Sequence, residues 1–334
     1  MKLILCFFLF CLQFVSVGLQ AIELNEKKVA KTSTTSIEDD DDDSDDIEIG
    51  DFALDLVNGT HEVVSDSIIG VSDMIDNFFV EERMEEEGSS TRVHLSYFIS
   101  EDIFGNLEHD YLFKARLSLP KTQNRLRLVV ESTVNPEEDE NLVAGSTDEE
   151  RNSSFSTSLQ YIFKKSKYWQ VSSQAGVRFV VPPDPFAKLR IRRLFTYDQW
   201  IIRFVETLFI TAAEGFGESS VLEFEHPIAK KLHFRSRSDL TVSQEVEDII
   251  FIKTFSVYQK LTERQYLVYS TGTDIKVESS FPLQRYYLNM RFRHNFYKKW
   301  AFYEVVPEIN FKRENDFEML PLIFFKIDIV FGKI

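Results

Sequence analysis

From Ser90 onward, apolar and polar residues alternate with a period of two. Tyr111, Phe113, Ala115, Leu117 and Leu119 interleave with Lys114, Arg116 and Ser118. Trp169, Val171, Ala175, Val177 and Phe179 interleave with Gln170, Ser172, Gln174 and Arg178, and Ile323, Phe325, Ile327, Ile329 and Phe331 with Lys326 and Asp328. Successive side chains of a strand point to opposite faces, so each segment has one apolar and one charged face. The pattern predicts fourteen strands, near residues 91–99, 110–119, 124–133, 153–163, 168–180, 188–196, 199–211, 219–226, 231–242, 248–259, 264–275, 284–296, 299–311 and 321–333. Most have the roughly 9–11 residues with which a tilted strand crosses a bilayer. No apolar run long enough for a transmembrane helix follows the first segment of the chain.

The connections alternate in length. Short turns fall at Pro120–Gln123, Lys164–Lys167, Tyr197–Asp198, Pro227–Lys230, Lys260–Glu263 and Tyr297–Lys298. Longer or more polar ones fall at Ser100–His109, Thr133–Asn152, Val181–Phe186, Thr211–Glu218, Ser243–Val246, Lys276–Leu283 and Lys312–Leu320. Outer-membrane barrels have an even strand number, short periplasmic turns and longer outer loops. On that reading both termini are periplasmic. Trp169, Trp200 and Trp300 each follow a short turn, with Tyr161, Phe163, Tyr168, Phe195, Tyr258 and Phe331 at the same level. Amphipathic rings favour the membrane–water interface, so this is a candidate interfacial girdle. A soluble barrel or sandwich alternates too, but gives no reason for aromatics at one level.

An arginine on the lipid face at mid-membrane costs about 2–4 kcal/mol, so the basic residues mark the lumen. That face holds Lys114, Arg116, Arg125, Arg127, Arg178, Arg190, Arg192, Arg203, Arg235, Arg237, Arg285, Arg291, Arg293 and Lys326. Fewer acids share it: Glu131, Glu223, Glu225, Asp239, Glu304, Glu308 and Asp328. Two readings stay open, an arginine–carboxylate network bracing a narrow interior and a path for anions. Glu206 and Lys253 have the parity of apolar neighbours, and a bulge is expected to re-aim each. Pro307 cannot donate to a ladder and is expected to distort its strand.

Met1–Ala21 has a charged start at Lys2, an apolar stretch and small residues before a cut after Ala21, the form of a secretory signal. A membrane anchor is the alternative. The only cysteines, Cys6 and Cys11, lie inside it. Residues 22–60 form an acidic arm with a run from Glu38 to Asp46 that should be disordered, as a solvated linker or a tail docking on a basic surface. Residues 61–88 predict a short amphipathic helix with a stripe of Val64, Ile68, Val71, Ile75 and Phe78. Residues 61–80 are a candidate contact for a periplasmic partner. Residues 89–334 make the barrel.

The formal net charge of −16 changes the picture only through its location. Residues 22–89 hold 22 acidic and 4 basic residues, whereas residues 90–334 hold 32 and 33. The barrel is near neutral, which argues against a nucleic-acid partner. An acidic arm and a basic lumen attract one another, so residues 38–55 are candidates to enter the periplasmic mouth. Catalytic chemistry is not indicated. His61, His94, His109, His226, His233 and His294 have no metal-binding spacing. His94 lies two residues from Ser96 but on the inward face, and Glu101, Asp102, Glu108, His109 and Asp110 form a charged outer loop. No motif calls for a cofactor. An outer-membrane hydrolase is the remote alternative.

Several stretches resemble an uncharacterised family of proteobacterial outer-membrane barrel proteins. They are Leu119-Pro120 with Asn124–Glu131, Pro182–Ala187, Glu214–Glu218, Trp300–Glu304 with Pro307 to Asp316-Phe317, and Phe331-Gly332, with Ile75–Phe79 before the first strand. The resemblance implies outer-membrane location and a barrel, and no activity. Such proteins meet outer-membrane lipid and the barrel-assembly machinery, which reads a terminal aromatic; here Phe331 is followed by Gly332-Lys333-Ile334. The chain is thus expected to be all-β, a transmembrane antiparallel up-and-down β-barrel of about fourteen strands. Its expected role is a channel for small anionic solutes or a closed structural protein.

Overall fold

The computed structural model describes Phe78, Phe79 and residues 91–102, 105, 107–119, 122, 125–133, 154–244, 249–276 and 282–332. The predicted signal, the acidic arm and the rest of the predicted helix lie outside the described residues.

Fourteen strands follow one another: β1 (Arg92–Asp102), β2 (Leu107–Ser118), β3 (Leu126–Thr133), β4 (Ser154–Lys165), β5 (Trp169–Phe179), β6 (Asp184–Tyr197), β7 (Trp200–Thr211), β8 (Gly215–Ala229), β9 (Leu232–Ser243), β10 (Ile249–Thr262), β11 (Gln265–Lys276), β12 (Leu283–Tyr297), β13 (Ala301–Lys312) and β14 (Met319–Gly332). Each pairs antiparallel with its sequence neighbours, and β1 pairs with β14 from Arg92↔Gly332 to Asp102↔Leu322. Closure leaves no free edge strand, so strands meet most of their backbone groups through their neighbours, although among the described residues β2 pairs with β3 only over Lys114–Ser118.

The two faces are chemically inverted relative to a soluble barrel. Tyr111, Phe155, Phe179, Leu288 and Ile323 are exposed on the outside, whereas Arg293, Glu304, Glu225 and Asp328 are fully buried inside. An apolar exterior around an ionic interior is the arrangement of a membrane-spanning barrel.

The strands are longer than expected where the chain turns tightly. β6 begins at Asp184, not near 188, and β8 at Gly215, not near 219. The outer connections expected at Val181–Phe186 and Thr211–Glu218 are therefore shortened, with Asp184–Phe186 and Gly215–Glu218 already in strand. Asp184 Oδ1 accepts hydrogen bonds from the Ala212 and Ala213 amides, and Gly215 adopts a φ of 70°, which together close the β7–β8 turn within three residues.

Pro307 disturbs β13 without shifting its register. It pairs with Ile323 on β14, while the ladder to β12 lapses between Asn289↔Glu308 and Phe292↔Val305 with the register unchanged. The missing amide costs hydrogen bonds on one side only. The bulges expected at Glu206 and Lys253 are absent. Register shifts occur at Ile162/Lys164, Pro227/Ala229, Lys260/Thr262, Asp274/Ile275 and Asn295/Tyr297, while both charged residues lie in regular ladder and face outward.

One end of the barrel carries the short turns and both chain connections, since β1 starts and β14 finishes there; it is termed the turn end. Trp169 and Trp200 are the first residues of β5 and β7, and Trp300 precedes β13. Arg193 stacks over Trp169 at 4.2 Å, Trp200 stacks on His226 at 4.5 Å, and Trp300 stacks on Phe331 at 6.0 Å. Tyr258 departs from the expected girdle: it is buried, points inward, and accepts a hydrogen bond from Arg235 at 2.9 Å.

Candidate functional site: a polar lumen with an aromatic pair

Period-two alternation sends every second residue of each strand into the lumen, so its contents follow from parity once the register is set. Three ionic groups line β8–β14. The first centres on Asp328 of β14. Ser96 donates to its Oδ1 at 2.5 Å, His94 Nε2 lies 3.3 Å from the same oxygen, and Arg293 donates to Oδ2 at 2.6 Å, with Lys326 3.2 Å away. Arg293 also binds Glu304 of β13. In the second, Glu225 meets His233 and Arg235 at 3.3 Å each, and Glu223 accepts from Arg237 at 2.9 Å. In the third, Glu308 accepts from Asn289 at 2.9 Å and Asn310 at 2.7 Å, beside an Arg285–Asp274 pair at 2.8 Å. Buried pairs of this kind offset their desolvation only when hydrogen bonds surround each charge; these networks do so in part, with Glu304 Oε2 and Asp274 Oδ1 buried and without a hydrogen-bond partner.

The opposite sector, β1–β6, is differently composed. Arg92, Lys114, Arg116, Arg127, Lys188, Arg190 and Arg192 lie on the inward faces of β1, β2, β3 and β6, through the pairs Arg92↔Arg116, Ser118↔Arg127, Gln170↔Arg192 and Ser172↔Arg190. Among the described residues the acids on that face are Glu131, opposite Lys114; Asp110 and Glu108, opposite Phe98 and Ser100 on β1; and Asp184, which holds Arg178 at 3.2 Å near the loop end. Arg203, Arg235, Arg237, Arg285, Arg291 and Arg293 also point inward. Arg125 does not line the lumen: it precedes β3 and is exposed, because β3 starts only at Leu126.

The feature that alternation does not contain is an aromatic pair from outside the barrel. Phe79 is fully buried against Tyr258, Tyr266 and Val268, all inward-facing residues near the turn end. Its ring meets Tyr258 edge-on at 5.4 Å, and Phe78 meets Tyr266 at 4.2 Å and Phe302 at 5.4 Å. The Arg291 and Arg293 guanidinium groups stand 5.7 and 5.5 Å from the Phe79 centroid. Such cation–π contacts are worth about 2 kcal/mol when desolvated. Phe78 of the predicted apolar stripe is thus covered by the barrel itself; the remainder of that stripe lies outside the described residues.

The geometry does not form a hydrolytic triad. Ser96 Oγ and Asp328 Oδ1 both lie against His94 Nε2, at 3.1 and 3.3 Å. A serine–histidine–aspartate relay needs the carboxylate on the other ring nitrogen, so that Nε2 is free to take the serine proton. His109 is exposed and bonds to Tyr97 at 2.8 Å. Among the described residues no cluster of metal-ligating side chains occurs.

No protein-family model matches the chain, and no curated protein matches it in sequence. Among solved structures it is similar to the KdgM porin (8% identity, 71% of this chain and 98% of that chain, TM-score 0.34). It is also similar to OprB of Pseudomonas putida (7%, 72% and 94%, TM-score 0.46) and to a bacterial polysaccharide outer membrane secretin (11%, 74% and 100%, TM-score 0.45). At these scores the likeness adds nothing to what the strand pairing itself shows.

Proposed function

We propose that the chain is an outer-membrane channel for small anionic solutes, with its turn end in the periplasm and its lumen narrowed there by Phe78 and Phe79. The observation that carries this reading is the basic sector of β1–β6. A low-dielectric wall lined by one sign of charge focuses its field into the lumen and draws in counter-ions. The facing strands β8–β14 carry most of the carboxylates, and Asp239 and Glu223 act on Arg190 of the basic sector.

The test is a planar-bilayer recording of the full chain across a potassium chloride gradient. The expected result is a reversal potential of anion-selective sign that weakens as salt rises, because screening shortens the reach of the lumen charges. Cation selectivity overturns the anion reading. A second reading, a closed structural barrel, is favoured by the complete burial of Phe79 in the lumen. It predicts no current from the native chain or from the Phe78→Ala/Phe79→Ala variant.

A further inference from the structure

The lipid-facing wall of a barrel is apolar because a lysine there costs about 2–4 kcal/mol at mid-bilayer. Between β7 and β10 this wall departs from that rule in the middle of its strands. Glu206 of β7 and Lys253 of β10 point outward, on the faces of Phe204 and of Phe251 and Phe255, in uninterrupted register. Serines on the same outer face hold them: Ser220 donates to Glu206 Oε2 at 2.7 Å, and Lys253 donates to Ser236 and Ser238 at 2.7 and 2.6 Å. Neither meets an opposite charge among the described residues, and Glu206 Oε1 is buried there with no hydrogen-bond partner. Glu218, on the same outer face of β8, stands beside Glu206.

The register sets both charges at similar depth. The row through Glu206 runs Ser220, Leu240, Phe251, and the row through Lys253 runs Ser238, Leu222, Phe204. Rows climb away from the turn end as chain order rises: one that leaves Arg92 at the foot of β1 passes Arg116, Val129, Ser158, Gly176 and Phe186 and reaches Thr211 at the top of β7. Lys253 lies two residues from Phe251 toward the turn end, which offsets the climb. Around the wall the two charges are three strand spacings apart, or about 14 Å.

Copies of one chain insert in one orientation, so a two-fold axis relating two of them runs along the membrane normal. An axis between β8 and β9 exchanges left and right and preserves depth. It sets Glu206 of each copy against Lys253 of the other, Ser220 against Ser238, and Leu222 and Leu240 each against its own counterpart. Small serines beside the axis let the walls approach closely, as small residues do between membrane helices. We propose that the outer face of β7–β10 is the two-fold interface of a homodimer, closed by reciprocal Glu206–Lys253 ion pairs.

The test is oxidative cross-linking in native membranes with Cys6 and Cys11 changed to serine. Leu222→Cys, beside the axis, is expected to give a disulfide-linked dimer, and Leu95→Cys, exposed on β1 in the opposite wall, is expected to give none. Lys253→Glu in the Leu222→Cys chain is expected to abolish the dimer band, and Glu206→Lys/Lys253→Glu to restore it. Heat-modifiable gel mobility confirms that each variant is folded. Failure of folded Leu222→Cys to cross-link, equal cross-linking through Leu95→Cys, or no rescue by the charge exchange overturns the proposal. If a charge variant does not fold, the two cysteine variants in otherwise native sequence decide it. None of these readouts depends on conduction.

Discussion

Phe79 packs edge-on against Tyr258, with ring centroids 5.4 Å apart and planes at 75°, although Phe79 belongs to no strand and Tyr258 lies on β10. The contact joins the residues before the barrel to the inward face of its wall. It makes the lumen at the turn end a mixed environment, with aromatic rings against the Arg291 and Arg293 guanidinium groups.

Replacing the two rings removes both packing and obstruction. Phe78→Ala/Phe79→Ala is expected to raise single-channel conductance in planar bilayers. Each truncation of a buried phenylalanine costs about 3–5 kcal/mol at most, less where water can fill the space. Deleting residues 22–60 leaves the aromatic pair in place, so on this account the increase appears equally in chains with and without that arm. Unchanged conductance in both would remove the pair from the conduction path.

Asp328 is the hub of a network that includes His94, Ser96, Arg293 and Lys326, all buried. Asp328→Asn leaves Arg293 and Lys326 without their shared anion and is expected to cost about 3–5 kcal/mol. Urea unfolding of the protein in lipid vesicles, followed by tryptophan fluorescence, measures this. Arg237→Gln removes a part-exposed arginine held by buried Glu223 and part-exposed Asp239, and is expected to cost less because water reaches Arg237 and Asp239.

Selectivity is expected to follow the β1–β6 sector. Arg190→Glu/Arg192→Glu reverses two charges on adjacent inward positions of β6 and should move the reversal potential toward cation preference at low salt. Reversing Arg193, two residues from Ile191 on the outer face beside Trp169, should leave it unchanged. Equal effects at the two sites would contradict a field set by the lumen wall.

The stacked pairs at the turn end predict a further separation. Trp200→Ala removes the ring that stacks on His226 and is expected to slow membrane insertion while leaving ion selectivity unaltered. Folding kinetics into vesicles, read by the appearance of the heat-modifiable band, check this.

Strand number and lumen chemistry were legible because a barrel repeats one local rule. A residue's face depends on its parity and a strand's end on its turn, so Arg293 and Asp328 are assignable as inward from the alternation around each. Strand ends were less legible at Asp184 and Gly215. There a side-chain acceptor for two backbone amides tightened a connection that composition alone marked as a loop. Glu206 and Lys253 show the converse. Parity pointed both outward, and an expected bulge was set against it because charge on a lipid face is costly; the ladder keeps the parity and serines partly meet the cost.

Alternation of apolar and charged residues by itself determined an all-β chain with an apolar outside and an ionic inside, since side-chain direction along a strand needs only nearest neighbours. The tertiary structure decided what lies across from what. Asp328 gathers His94, Ser96 and Arg293 from strands distant in sequence, Phe79 enters beside Tyr258 and Tyr266, and Glu206 and Lys253 come to one depth on the outer wall. These relationships depend on closure of β1 onto β14 and on the stagger accumulated strand by strand, which no local pattern contains.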